Sequence, residues 1–94
     1  MKDETAFTLP DGHVDRAGER HRSGRMRPAQ ARDEARALSD FRVALRPESF
    51  LPVVLARVVT QLGAIRSPDV GVLERLSASD LETLERLYRE LNGY

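Results

Sequence analysis

FLPVVLARVVTQLG, residues 50–63, is the most apolar run of a 94-residue chain in which 32% of residues are charged, and its folding decides how the rest packs. On a helical wheel Leu51, Val54, Leu55, Val58, Val59 and Leu62 fall within an arc of roughly 140°, while Ser49, Arg57, Thr60 and Gln61 lie off it. The pattern predicts one helix with one buried face. Ser49 is placed to cap it, Pro52 falls in the first turn where its missing N–H is no loss, and Gly63 is placed to end it. The run is too short, and too interrupted by Arg57, to span a bilayer, which takes about 20 apolar residues, so its buried face must meet protein. Burying six or seven such side chains at roughly 1.5 to 3 kcal/mol each is a large share of what so small a chain has.

Downstream, Ser67-Pro68-Asp69 supplies a cap, a first-turn proline and an acid for a short helix to about Leu76, burying Val72, Leu73 and Leu76. Ser79 to Glu82 has capping-box spacing, and Leu81, Leu84, Tyr88 and Leu91 recur at three- and four-residue steps to give the last helix, ended by Gly93. Glu82 with Arg86 and Glu85 with Arg89 stand four apart, acid first, the favourable order on a helix face. Upstream, Phe41, Val43 and Leu45 alternate with Arg42, Ala44 and Arg46 as a short strand or extended linker does, and Pro47 leads into the central helix. A helix of about ten residues is predicted from Pro28, through Ala29, Ala31, Ala35, Ala37 and Leu38. Before it, Asp11-Gly12 and Asp15 to Gly18 are turn signals, so the block up to Met26 reads as a β-hairpin or, alternatively, a disordered basic arm; residues 1–5 are polar and expected to fray.

Fifteen basic and fifteen acidic residues cancel, which argues against whole-surface attraction to nucleic acid or anionic lipid. Locally the charge is segregated: six arginines between Arg16 and Arg32 face one acid, Glu19, whereas the stretch from Ser67 to Tyr94 is acidic. Without cysteine there is no disulfide framework, thiolate metal site or cysteine nucleophile. The N-terminal residues lack the apolar core of a secretory signal, and the expectation is a soluble cytoplasmic protein. Ninety-four residues make one domain, marginal enough that a partner or a homo-oligomer would help it.

Several short patterns follow one another along the chain. An LP-x-G-x-x-D opening (Leu9, Pro10, Gly12, Asp15) precedes Gly24 with Met26 and Arg27, then the pair Asp33 and Glu34. An apolar segment with Arg57, Val58, Leu62 and Gly63 follows, and the chain closes on Asp80, Leu81, Leu84, Tyr88, Arg89 and Asn92. In this order and spacing, over residues 7–92, the sequence resembles a family of small proteins encoded with contractile phage-tail-like particles, the extracellular contractile injection systems and related phage tails, known as phage tail assembly proteins. His13 stands where that pattern has an aromatic residue and Pro28 where it has an apolar one. The resemblance implies a non-enzymatic assembly role: binding tail tube, sheath or tape-measure subunits in the cytoplasm of the producing cell, as a tail assembly chaperone does, or staying in the particle as a minor component.

Chemistry beyond this is weakly signalled. His13 and His21 with Asp15 and Glu19 invite a metal site, but neither their spacing nor a second shell supports one, and no catalytic site or cofactor is expected. The arginine run makes a small nucleic-acid-binding regulator the rival class, opposed by Glu82, Glu85 and Glu90 on the last helix and by the lack of an aromatic residue within the run. A generic helical adaptor is the third. The seam of Leu81, Leu84, Tyr88 and Leu91 either covers the central helix or, with Tyr94, stays open for a partner helix. Together these patterns predict an α+β chain that is mainly α: a tail and small β-hairpin over 1–27, then a three- to four-helix bundle over 28–94.

Overall fold

The computed structural model describes residues 4–94. The expected fraying of the N-terminus therefore falls largely outside the described residues; Thr5 already opens strand β1 and Glu4 pairs with Arg25 at 3.0 Å. The elements in order are β1 (Thr5–Val14), β2 (Arg20–Met26), α1 (Ala31–Leu38), α2 (Phe41–Leu45), a 3-10 turn (Pro47–Ser49), α3 (Phe50–Val58), β3 (Val59–Leu62), β4 (Ile65–Arg66), α4 (Val70–Glu74) and α5 (Ala78–Leu91). The four strands form one antiparallel sheet in the order β1-β2-β3-β4.

That sheet corrects the mainly α expectation. The hairpin is not an appendage on a helical bundle but half of a sheet whose third strand comes from the run expected as the central helix and whose fourth, β4, comes from the loop after it. The helix ends at Val58. Val59 is extended (φ −78°, ψ 111°), and the Arg27 N–H donates to the Val58 carbonyl at 2.9 Å, consuming the acceptor that the next turn of helix would have used. Val58, Val59 and Thr60 form a β-branched run, and β2 offers an edge for it: Gly24 pairs with Leu62 and Met26 with Val59. Gly63, expected to terminate a helix, turns β3 into β4 with φ +58°. Val59 and Leu62 are buried as expected, but as strand residues.

What remains of the helix is buried more completely than one face allows. Pro52, Val53, Val54 and Leu55 are all buried in succession, because α3 lies in the middle of the molecule, with α1 and α4 packed on it. The core joins Leu55 and Val58 of α3 to Leu9 and Met26 of the hairpin, Leu62 of β3, Leu73 of α4 and Leu84 of α5.

Other boundaries also moved. The first helix starts at Ala31, not at Pro28: Gln30 caps it and Asp33 closes a capping box. Residues 41–45, expected to be extended, are helical, because Asp40 accepts the Arg42 N–H at 2.8 Å and acts as an N-cap. Asp69 rather than Ser67 caps α4, and Ser77 rather than Ser79 caps α5. Along α5 the Glu85–Arg89 pair is present at 3.9 Å; among the described residues Glu82 and Arg86 form no ion pair.

Candidate functional site

Three buried or half-buried carboxylates fasten these elements together. Asp33, 1% exposed, receives Arg27 in two-pronged fashion, Nη1 to Oδ2 at 2.9 Å and Nη2 to Oδ1 at 3.1 Å. Arg57 Nε donates to Oδ1 at 3.1 Å and the Gln30 N–H to Oδ2 at 2.8 Å. Each oxygen thus accepts two bonds, which fills the acceptor capacity of a carboxylate and leaves nothing for a substrate or a metal. The Arg27 hydrogen bonds, above all, hold the Asp33 carboxyl well below the usual carboxylate range, and Asp33 in turn raises Arg27. Since Arg27 also donates to the Arg57 carbonyl at 2.8 Å, this cluster locks the exit of β2 to the start of α1 and the end of α3.

Asp80, fully buried in the first turn of α5, does the same for the tip of β1. Its Oδ1 accepts the Asp11 N–H at 2.9 Å and its Oδ2 the Gly12 N–H at 2.8 Å, where β1 bulges away from β2 between Thr8 and His13. Gly12 takes φ +88°, and a Cβ there would lie 2.7 Å from the His21 carbonyl oxygen. Ser77 Oγ caps the Asp80 N–H at 3.1 Å and donates to Asp11 at 2.7 Å. At the other end of α5, Asn92 accepts the Ala29 N–H at 2.8 Å and donates to the Tyr88 carbonyl at 2.7 Å. The third carboxylate, Glu34, accepts the hydroxyls of Tyr88 and Tyr94. Burial first, and Glu34 second, pushes the Tyr88 phenol above its ordinary value; Glu34 does the same to Tyr94.

Asp15, Glu19 and His21 bring ligand-type atoms within 4.8 Å of one another. Hydrogen bonds account for the Asp15 and His21 members of this group. Asp15 Oδ1 accepts the Ala17 and Glu19 N–H groups at 2.9 Å each, and Oδ2 accepts from His21 Nε2 at 2.8 Å, holding the Asp15 carboxyl below its ordinary value. His21 Nδ1 faces the Ala64 N–H at 3.2 Å, so it is the acceptor nitrogen and Nε2 carries the proton. A metal on Nε2 would need that proton moved to Nδ1, against the Ala64 donor. His13 is buried beside this group, its ring 6.4 Å from that of His21.

The residues that carry the family pattern are thus brought together chiefly as scaffold. Leu9, Met26 and Leu84 are core, Gly24 lies under the Phe7 ring, and Leu81 is half-buried against the core. Gly12 meets Asp80; Arg27, Asp33 and Arg57 form one cluster; Glu34 meets Tyr88; Asn92 ties back to Ala29; Gly63 crowds the His21 ring. Pro10 and Arg89 are exposed. Of the arginine run, Arg27 is internal to the cluster, Arg20 and Arg22 donate to the Asp11 and Leu9 carbonyls, Arg25 pairs with Glu4, Arg32 sits on α1 and Arg16 is exposed.

The surface holds what the pattern does not contain. Phe41 and Leu45, 70% and 76% exposed, stand one turn apart on α2 and form an apolar ridge, and Leu38 at the end of α1 is 64% exposed. The alternation from Phe41 to Leu45, which fits a short strand or an extended linker, conceals this ridge, and Asp40 as an N-cap before Phe41 is the signal that reveals it. A groove of about 410 Å³ between α1, α3 and α5 is floored by Phe50, Leu51 and Val54 and walled by Glu34, Glu85, Tyr88, Arg89 and Tyr94. The α5 seam therefore faces inward at Leu84 and Tyr88, while Tyr94 stands at the groove wall. Among the described residues no helix is long and apolar enough to cross a membrane.

Comparison with protein-family models, with curated proteins and with solved structures finds no match to this chain.

Proposed function

We propose that the chain is a non-enzymatic assembly factor, or a minor structural component, of a contractile phage-tail-like injection system, binding tail tube, sheath or tape-measure subunits in the cytoplasm of the producing cell. The observation that carries a protein-binding role is the ridge. Phe41 and Leu45, one turn apart on α2, and Leu38 at the end of α1 are each more than three-fifths exposed, beside a core that buries most of the apolar side chains. Helices docking through apolar side chains one turn apart, as Phe41 and Leu45 are, are a recurring mode of protein recognition. The tail-particle context rests on the sequence resemblance.

The test is affinity capture of tagged protein from the producing bacterium, with mass spectrometry of the eluate and of purified particles. Capture of tube, sheath or tape-measure subunits, lost in a Phe41→Glu/Leu45→Glu variant, supports the reading; presence in particles makes the chain a structural component. Recovery of only nucleic acid, or capture indifferent to the ridge variant, refutes it.

A further inference from the structure

We propose that the outer edge of β1, from Ala6 to Thr8, is a docking site for an uncharged extended segment of a partner chain, which joins the four-stranded sheet as a further strand in the cleft between β1 and α5. This surface is separate from the Phe41–Leu45 ridge and stands or falls independently of it.

The hydrogen bonds of the sheet decide which backbone groups of β1 are free. The Gly63 N–H donates to the Ser23 carbonyl at 2.6 Å and the Arg27 N–H to the Val58 carbonyl at 2.9 Å, so the odd-numbered residues of β2 turn their backbone toward β3 and the even-numbered ones toward β1. Gly24 and Met26 therefore bond Phe7 and Thr5, which stand opposite them in register. Ala6 and Thr8 alternate with these and, since β1 is the first strand of the sheet, point their N–H and C=O groups away from it. Among the described residues these groups have no backbone partner, and both residues are exposed.

The rest of the edge is closed. Pro10 has no N–H to offer, and Asp80 takes the Asp11 and Gly12 N–H groups. At the opposite edge β4 has only two residues. The stretch from Ala6 to Thr8 has no such protection: it holds no charged side chain and no proline, and the bulge comes after it.

The same groups set what fits there. Outward N–H and C=O groups along an edge are matched by another extended backbone, not by a helix, whose own groups are used internally. Alongside lies a cleft of about 240 Å³ between this stretch and the Thr83, Arg86, Leu87 and Glu90 side of α5. Half-buried Leu87 presents apolar surface there, while Arg86 and Glu90 carry opposite charges, so the wall favours neither sign. In an added strand every second side chain turns toward α5, and the others lie beside Ala6 and Thr8 on the outer face. The occupant is thus a strand with aliphatic residues at alternate positions and small uncharged ones between. A second copy of β1 is disfavoured, because strands pair about 4.8 Å apart whereas the two α5 helices packed on them would need about 8 to 10 Å.

The probe is the peptide acetyl-Thr-Val-Thr-Val-Thr-amide, read in amide NMR spectra of the whole chain. The Ala6, Thr8, Thr83 and Leu87 resonances should shift with half-saturation at about 1 mM or below, and exchange of the Ala6 and Thr8 amides should slow about tenfold or more. Thr8→Pro removes an N–H that bonds nothing in the sheet, at an edge position that tolerates proline. It should leave the melting temperature close to wild type and weaken peptide binding about tenfold or more. Should that variant not fold, the peptide with three prolines at its centre, which has no donor left to pair, makes the same comparison. No shift up to about 10 mM peptide overturns the proposal. So do shifts that both proline changes leave intact, or Ala6 and Thr8 amides as protected in the free chain as that of Phe7. Protection that grows with protein concentration in the absence of peptide overturns it too, by assigning the edge to a second copy.

Discussion

Replacing Asp33 by Asn keeps the shape of the side chain and removes its charge. One amide oxygen can still accept, but the NH2 group then faces guanidinium N–H, donor against donor, where Oδ1 or Oδ2 had accepted two bonds. Breaking a buried ion pair from one side costs about 3 to 5 kcal/mol, because the partner charge is left behind. Here the site is 1% exposed at Asp33, but the Arg27 and Arg57 side chains are 34% and 31% exposed, so water takes over part of their solvation and the lower end applies. The expected loss is about 3 kcal/mol, equivalent to roughly 12 to 24 °C in melting temperature for a domain of this size. Urea unfolding should show it as a lower midpoint with unchanged slope.

The pH dependence follows from the direction of the shift. Asp33 titrates lower in the folded protein than its ordinary value of 3.8, so below neutrality the unfolded chain takes up its proton first. The stability it contributes is present in full above 3.8 and is lost as pH falls through the lowered native value. The gap between wild type and Asp33→Asn should therefore be flat from about pH 5 to 8 and narrow in acid. A gap under about 1 kcal/mol at neutral pH, or one that persists unchanged at about pH 2, would refute the account of Asp33 as the charged tie between β2, α1 and α3.

Asp80→Ala should cost about 2 to 4 kcal/mol in urea unfolding, because it strips the acceptors from the Asp11 and Gly12 N–H groups and the acid from the first turn of α5; a loss below about 0.5 kcal/mol would mean water serves those donors equally well. Gly63→Ala should destabilise by about 2 kcal/mol or more, since φ is +58° and the added Cβ runs into the His21 ring; an unchanged melting temperature would contradict the turn geometry. Both tyrosines should ionise above their ordinary value of 10.0, Tyr88 through burial and Tyr94 through Glu34, so their stabilising contribution is intact below 10.0 and lost as pH rises through the folded values. Near-ultraviolet absorbance titration reads this directly, and Glu34→Gln should bring both midpoints down; midpoints already at 10.0 in the wild type would sink the reading.

How much of this was legible in the chain depended on whether the deciding contact was local. The last helix was, because its leucine spacing and Tyr88 describe one face of one element. The strand β3 was not. Val54 to Leu62 fits a helical period, and only the partner edge of β2, some thirty residues away, with Arg27 taking the Val58 carbonyl, favours extension from Val59 onward. Helix α2 failed for the opposite reason. Residues 41–45 alternate as a short strand or extended linker does, while a single side-chain cap at Asp40 is enough to select a helix. Asp33, Asp80 and Asn92 were singled out through their place in a family pattern, but no spacing rule predicts that they reach Arg57, Gly12 and Ala29, because those distances are set by the tertiary fold.

The division between pattern and surface bears on what each can establish. Asp33, Asp80, Asn92, Gly12 and Gly63 all act by closing the fold: they fill backbone donors, neutralise arginines or permit a turn. Such residues define a scaffold rather than a binding site. Leu38, Phe41 and Leu45 lie outside the pattern, do nothing for the core, and leave large apolar area in water, a cost a partner can remove. Partner choice should therefore move with the ridge and not with the carboxylate ties. Ridge substitutions ought to leave the unfolding midpoint nearly unchanged while abolishing capture, whereas Asp33→Asn ought to lower the midpoint yet retain capture wherever the domain remains folded.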